Sequence, residues 1–203
     1  ISGTAANNNG VFGILNIQNS QYVSASVFGM PDGLDTSVSA VAGLLGLPLP
    51  PQVGQFLEPA GGVTACGNGV FCIQSIVTAE DGLALGALFD VVANDNGVGG
   101  VFALNQAIEG VGIGLAGSSQ DLADIVDFGT DVAGLLGFDL PIALAGGGHM
   151  EANGNGGIGF QMQTIGSNAA INLVLGLDAI GNAGPGAFVG TYSENLALAA
   201  LAR

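Results

Sequence analysis

Few side chains in this sequence are equipped for chemistry. The single histidine, His149, lies in Gly146-Gly147-Gly148-His149-Met150-Glu151. A histidine with a carboxylate two residues on has the parts of a general base. A histidine among glycines also reads as a turn residue, and the corresponding stretch of the first half, Gly62-Val63-Thr64, has none. The chain has no lysine, and its one arginine is Arg203. Phosphoryl transfer and Schiff-base chemistry therefore lack their cations. No Gly-x-Ser-x-Gly elbow, His-Glu-x-x-His helix or Walker loop is present. No catalytic, cofactor-binding or metal residue is assigned, and the expectation is a protein that is not an enzyme and uses no cofactor.

Oxygen ligands for a cation fare little better. Asp121, Asp124, Asp127 and Asp131 recur at helical spacing. Calcium wants six to eight oxygens converging from a loop, whereas a helix face splays them, so a solvated face is expected. Asn94-Asp95-Asn96-Gly97 reads as a turn rather than a calcium loop, because later ligands are missing. Cys66 and Cys72 flank Gly67-Asn68-Gly69-Val70-Phe71. The Gly-Asn-Gly centre can turn tightly, so a disulfide between Cys66 and Cys72 is expected in an oxidising compartment, against two buried thiols otherwise.

Composition says more than these motifs. Of 203 residues, 8% are charged and 49% hydrophobic, and 37 are glycine. Ordinary soluble domains carry about 25% charged residues. The usual charged coat is missing, which points to a surface buried against something. A net charge of −15 with one Arg leaves no basic footprint for nucleic acid or an anionic membrane surface. Apolar stretches such as Val41 to Pro50 are short and end in prolines, so a transmembrane helix is not expected. The chain opens on Ile1-Ser2-Gly3-Thr4, which fits a product from which a leader has been removed. The expected location is secreted or at the cell surface.

Internal repetition organises the chain. Val41-Ala42-Gly43-Leu44-Leu45-Gly46-Leu47-Pro48-Leu49-Pro50 recurs as Val132-Ala133-Gly134-Leu135-Leu136-Gly137-Phe138-Asp139-Leu140-Pro141. Gly67-Asn68-Gly69 recurs at Gly154-Asn155-Gly156, and Gly10-Val11-Phe12 at Gly100-Val101-Phe102. Two halves follow, residues 1–95 with an N-terminal arm and 96–203 with a C-terminal strand or helix, integrated in one domain; the repeat itself spans 7–95 and 96–183. Shorter units begin near Asn9, Asn68, Asn96 and Asn155, with a looser fifth at Gly184-Pro185-Gly186. Asn-Gly supplies the positive φ of tight turns.

The residues after each turn alternate. Leu15-Asn16-Ile17-Gln18 and Val23-Ser24-Ala25-Ser26-Val27 have one apolar face and one small, polar face, and Ile158, Phe160 and Met162 alternate with Gly159, Gln161 and Gln163. Period two reads as strand. Leu83-Ala84-Leu85 and Ile171 to Leu175 read as partners completing hairpins. Each half carries one helix, Thr36 to Leu45 and a second over the aspartates, where Ser118 and Asp121 form a capping box; Pro48 and Pro141 stop them. The expected fold is mainly β, a duplicated hairpin–helix–hairpin unit forming a sandwich or barrel with one short helix per half.

Cys66-Gly67-Asn68-Gly69-Val70 resembles the Cys-Gly-Asn core of chaplins, hydrophobic coat proteins of actinobacterial aerial hyphae. The match spans those few residues, and Cys72 sits closer than that pattern has it; no residue role is carried over. The function expected from the residues themselves is structural: a subunit of an extracellular self-assembling filament, pilus-like fibre, sheath or coat. Copies of the same chain would be the partners, with no nucleic acid and no small-molecule substrate. Ile1, Val11, Phe12 and Ile14 are the assembly candidates, with Ile1 to Asn9 as an arm completing a neighbour's sheet. The alternatives are an outer-membrane β-barrel pore, the one reading in which the chain inserts in a membrane, and a soluble extracellular binding module.

Overall fold

A computed structural model describes residues 5–29, 62–124, 127 and 149–202. The described chain is almost entirely strand: β1 (Phe12–Ser20), β2 (Val23–Phe28), β3 (Val63–Thr64), β4 (Phe71–Phe89), β5 (Val91–Val92), β6 (Gly99–Gly117), β7 (Met150–Glu151), β8 (Phe160–Gly166), β9 (Ala169–Leu175), β10 (Leu177–Asp178), β11 (Ala187–Tyr192) and β12 (Leu196–Ala202). Each described strand pairing is parallel. The larger sheet runs β1-β4-β6-β8-β11, with β2 on β4, β9 on β6 and β12 on β9; the smaller runs β10-β7-β5-β3.

These pairings mean that the chain winds. Ile14 lies beside Ile73, Ile73 beside Val101, Val101 beside Phe160, and Phe160 beside Ala187. Each turn of the winding, here a rung, has a short strand (in the first rung only the bridge of Ala5 to Thr64), an Asn-containing corner and two longer legs. Five rungs stack in order. This overturns two expectations. The strands are not hairpins, because each pairs with a strand of the next rung rather than with its neighbour in sequence. Nor do they close a barrel, because the sheets end at β1 and β2 on one side and at β11 and β12 on the other. Local turn chemistry is the same in both cases; the partner is chosen by burial far along the chain.

The core fills the space between three walls. Ile73, Val101, Phe160 and Met162 come from the first leg, Phe28, Leu88, Ala116 and Val174 from the second, and Val63, Val91 and Met150 from the short strands. Near the bend between the legs the interior is narrow. A Cβ on Gly86 would collide with Asn105, and one on Gly114 with Asn172, Met162 and Thr164. Small and amide side chains therefore occupy the inside there: Ser24, Ser26, Ser75, Asn105, Thr164 and Asn172 are all buried. Asn16 Nδ2 donates to Ser26 Oγ at 2.8 Å and to Ser75 Oγ at 3.2 Å. Around the bend of the first rung, between Ile14 and Phe28 of the core, the alternation is consequently inside out. There Asn16, Ser24 and Ser26 point inward, and Leu15, Ile17 and Val23 are 50, 64 and 60% exposed.

Residues 119–124 are helical. Ser118 Oγ accepts from the backbone N–H of Gln120 and of Asp121, the capping expected there. The reciprocal half of the box is not made, since the Ser118 N–H donates to the Leu175 carbonyl. The Thr36 to Leu45 helix, Pro48 and Pro141 lie outside the described residues. Residues 196–202, left open between strand and helix, are strand β12.

Candidate functional site: the asparagine corners and the ends of the stack

The corners carry a continuous series of side-chain hydrogen bonds. Asn9, Asn68, Asn96, Asn155 and Asn182 stack directly, one per rung. Each side-chain amide donates to the next residue's Oδ1, at 3.0, 3.1, 2.9 and 2.9 Å along the series. The same Oδ1 atoms accept the backbone N–H of the preceding asparagine, at 3.0, 2.9, 3.0 and 2.9 Å. Asn68, Asn96 and Asn155 are buried, and the ladder satisfies them.

The residue before each ladder asparagine has a positive φ: 56° at Asn8, 68° at Gly67, 58° at Asp95, 64° at Gly154 and 69° at Gly181. Only Gly, Asn and Asp adopt that conformation readily, and those are the residues found. The residue after the asparagine is Gly10, Gly69, Gly97, Gly156 and Ala183. A Cβ on Gly69 would strike the Gly10 carbonyl, one on Gly97 the Gly69 carbonyl, and one on Gly156 the Gly97 carbonyl. At Gly69, Gly97 and Gly156 glycine stands because the rung before presses its backbone close, while Ala183 of the last rung carries a Cβ. Gly10 has no described rung before it, and a Cβ there would meet no described atom within 4 Å.

The ends differ from the middle. Among the described residues, no strand pairs with the outer edge of β1 and β2 or of β11 and β12. All seven residues of β12 are exposed, including Leu201, which is 61% exposed although it continues the stack of Val174 and Ala116. Beside it lies a cleft of about 410 Å³ lined by Leu177, Ala179, Ile180, Ala187 and Leu201 among others. The first rung, residues 5–29, has no charged side chain at all; the last, residues 177–202, has Asp178 and Glu194 alone.

The expected assembly residues are distributed as follows. Val11 is exposed beside the first corner, Phe12 is half-buried at the start of β1, and Ile14 packs partly against the core. Ile1 lies outside the described residues. Part of the proposed arm is engaged at home. Ala5 bridges to Thr64, the Ala6 and Asn8 N–H groups donate to the carbonyls of Thr64 and Cys66, and Asn9 is the first ladder residue. Residues 5–9 thus complete their own chain's sheet rather than a neighbour's, because the corner needs them to start the stack.

Cys66 and Cys72 are both free thiols, and both reach the Val92 carbonyl, at 3.9 and 4.0 Å. Burial, with a smaller contribution from Cys66, pushes the Cys72 thiol far above its ordinary pKa. His149 is exposed and borders a shallow cavity of about 260 Å³ with Ser118, Gln120, Asp121, Gly176 and Asp178. Its supposed partner Glu151 accepts a 3.0 Å hydrogen bond from Asn94 Nδ2. Asn94 Oδ1 accepts from the Asn153 N–H, and Asn96 Oδ1 from Asn68, so the Asn94-Asn96 turn directs its oxygens into the stack. Asn182 was missed from sequence; Gly181-Asn182 repeats Gly67-Asn68 and Gly154-Asn155, and the next landmark, Gly184-Pro185-Gly186, drew attention two residues too far. No family model, no curated protein and no solved structure matches this chain.

Proposed function

We propose that this chain is a structural subunit of an extracellular self-assembling filament, pilus-like fibre, sheath or coat, and not an enzyme. The observation that carries the reading is the state of the two terminal rungs: no described strand pairs with the outer edge of either, and they are nearly or wholly uncharged. Stacked-repeat proteins that remain single molecules carry polar caps on their terminal repeats. Edge strands are ordinarily guarded by lysine, proline or bulges, and this chain has no lysine. The outward-facing Leu15, Ile17 and Val23 add apolar surface that copies can cover. A secreted or surface location is the compartment in which the disulfide expected between Cys66 and Cys72 could form. A duplicated two-rung unit accords with ladder spacings of 59, 28, 59 and 27 residues.

Negative-stain microscopy and sedimentation in detergent-free buffer test the proposal. Elongated or sheet-like particles are expected at micromolar concentration. A compact single copy that persists at millimolar concentration would refute it.

A further inference from the structure

An asparagine followed by glycine loses its side-chain amide readily, because the glycine nitrogen reaches the asparagine Cγ with no side chain in the way. The chain has five such pairs: Asn9-Gly10, Asn68-Gly69, Asn96-Gly97, Asn153-Gly154 and Asn155-Gly156. We propose that Asn9 is a site of spontaneous covalent modification in the folded protein, deamidating through a cyclic imide with Gly10, while the stack holds the other four pairs unreactive.

In the first step the Gly10 backbone nitrogen attacks the Asn9 Cγ. The N–Cγ bond forms, the Cγ–Nδ2 bond breaks, and ammonia leaves with the proton that the Gly10 nitrogen gives up. Water then adds to one of the two imide carbonyls and breaks its bond to nitrogen. Opening at Cγ gives aspartate, and opening at the backbone carbonyl gives isoaspartate. No group is oxidised or reduced: an amide and water become a carboxylic acid and ammonia.

Both the glycine N–H and the asparagine side chain must be released for this attack. In four of the pairs they are engaged. Gly69, Gly97 and Gly156 donate N–H to the carbonyls of Asn9, Asn68 and Asn96, and Gly154 donates to that of Ile180. Asn68, Asn96 and Asn155 are buried, each with its Nδ2 donating and its Oδ1 accepting in the ladder. Asn153 is half-buried, and its Oδ1 accepts the Ile180 N–H at 2.7 Å. Asn9 differs on both counts. Among the described residues no acceptor takes the Gly10 N–H and no donor reaches Asn9 Oδ1. The Asn9 side chain is held through its Nδ2 alone, 3.0 Å from Asn68 Oδ1, and both Asn9 and Gly10 are exposed to the water that opens the imide. The far end of the ladder lacks the dipeptide: Asn182 precedes Ala183, whose N–H donates to the Asn155 carbonyl. The product undoes the first step of the ladder. A carboxylate only accepts, so Asn68 Oδ1 loses its Nδ2 donor, and a negative charge enters residues 5–29, which have none.

Peptide mapping of the full chain tests the proposal. Fresh protein is held at pH 8 below the onset of assembly, digested with chymotrypsin and sequenced by mass spectrometry, with electron-transfer fragmentation to separate aspartate from isoaspartate. Asn9 is expected to convert at least about tenfold faster than any of the other four, the ratio that about 1.4 kcal/mol of added barrier produces and the scale of one hydrogen bond broken before attack. In concentrated urea, where the ladder is gone, the five rates should converge. Gly10→Val, whose branched side chain crowds the attacking nitrogen, should slow conversion at Asn9 by a similar factor and leave the other pairs as they were. The proposal is overturned if another pair keeps pace with Asn9 in the folded chain, if the folded chain converts at none of them while the unfolded chain does, or if Asn9 keeps its lead in urea. Because single copies are measured, none of these results depends on whether the chain self-assembles.

Discussion

If the asparagine ladder holds the rungs together, its middle should cost far more to break than its ends. Asn96 is the residue to replace. Its Oδ1 accepts from both the N–H and the Nδ2 of Asn68, and its Nδ2 donates to the Asn94 carbonyl and to Asn155 Oδ1. Asn96→Ala removes four hydrogen bonds and leaves the Asn68 N–H unpaired at a corner that is 2% exposed. A buried orphaned donor costs about 1–3 kcal/mol, and an ordinary lost hydrogen bond about 1 kcal/mol, so a loss of about 4 kcal/mol is expected. Asn9→Ala removes a single side-chain donation, to an Oδ1 that still accepts the Asn9 N–H, and should cost about 1 kcal/mol. Asn182→Ala lies between, at about 2 kcal/mol, because water reaches the half-buried last rung. Urea unfolding followed by circular dichroism, at a concentration below the onset of assembly, compares the three. Equal costs for Asn96→Ala and Asn9→Ala would refute the claim that the ladder is a continuous, buried support.

Gly97→Val sets a side chain against the Gly69 carbonyl and should destabilise by more than about 3 kcal/mol, whereas Gly10→Val, whose side chain meets no described atom within 4 Å, should cost far less; thermal melts of the two variants read the difference. Cys72 gives a pH signature under reducing conditions. Its folded pKa is raised, so the unfolded chain releases this proton first, and the stability it lends is complete below about pH 8.5 and lost as pH rises beyond that, at up to about 1.4 kcal/mol per pH unit. Urea titrations at pH 8 and pH 10 should show that fall in the wild type and a smaller one in Cys72→Ala; equal slopes would contradict the burial argument.

Much of the β character was legible. Alternation in β1, β2 and β8 identified strands correctly, because a two-residue period needs no knowledge of the partner. Asn9, Asn68, Asn96 and Asn155 were recognised as unit starts from the glycines around them, and they are four of the five ladder residues. Ser118 announced the helix start. The hairpins expected from sequence are absent, since each described pairing is parallel. Asn-Gly chemistry specifies a positive φ, and that requirement is the same at a hairpin turn and at the corner of a winding chain.

Residue types and spacing by themselves determined that the chain is built of strands joined at glycine–asparagine corners, that it lacks a charged coat, and that its first 29 residues carry no charge. Those are local or compositional properties. The tertiary structure alone decided which strands meet, which face of each strand turns inward, and that the corners align into one ladder. The reason is that pairing joins residues 59 positions apart, such as Asn9 and Asn68, and that the narrow interior admits Ser24 and Ser26 while leaving Val23 outside. No window of the sequence contains both sides of such a contact.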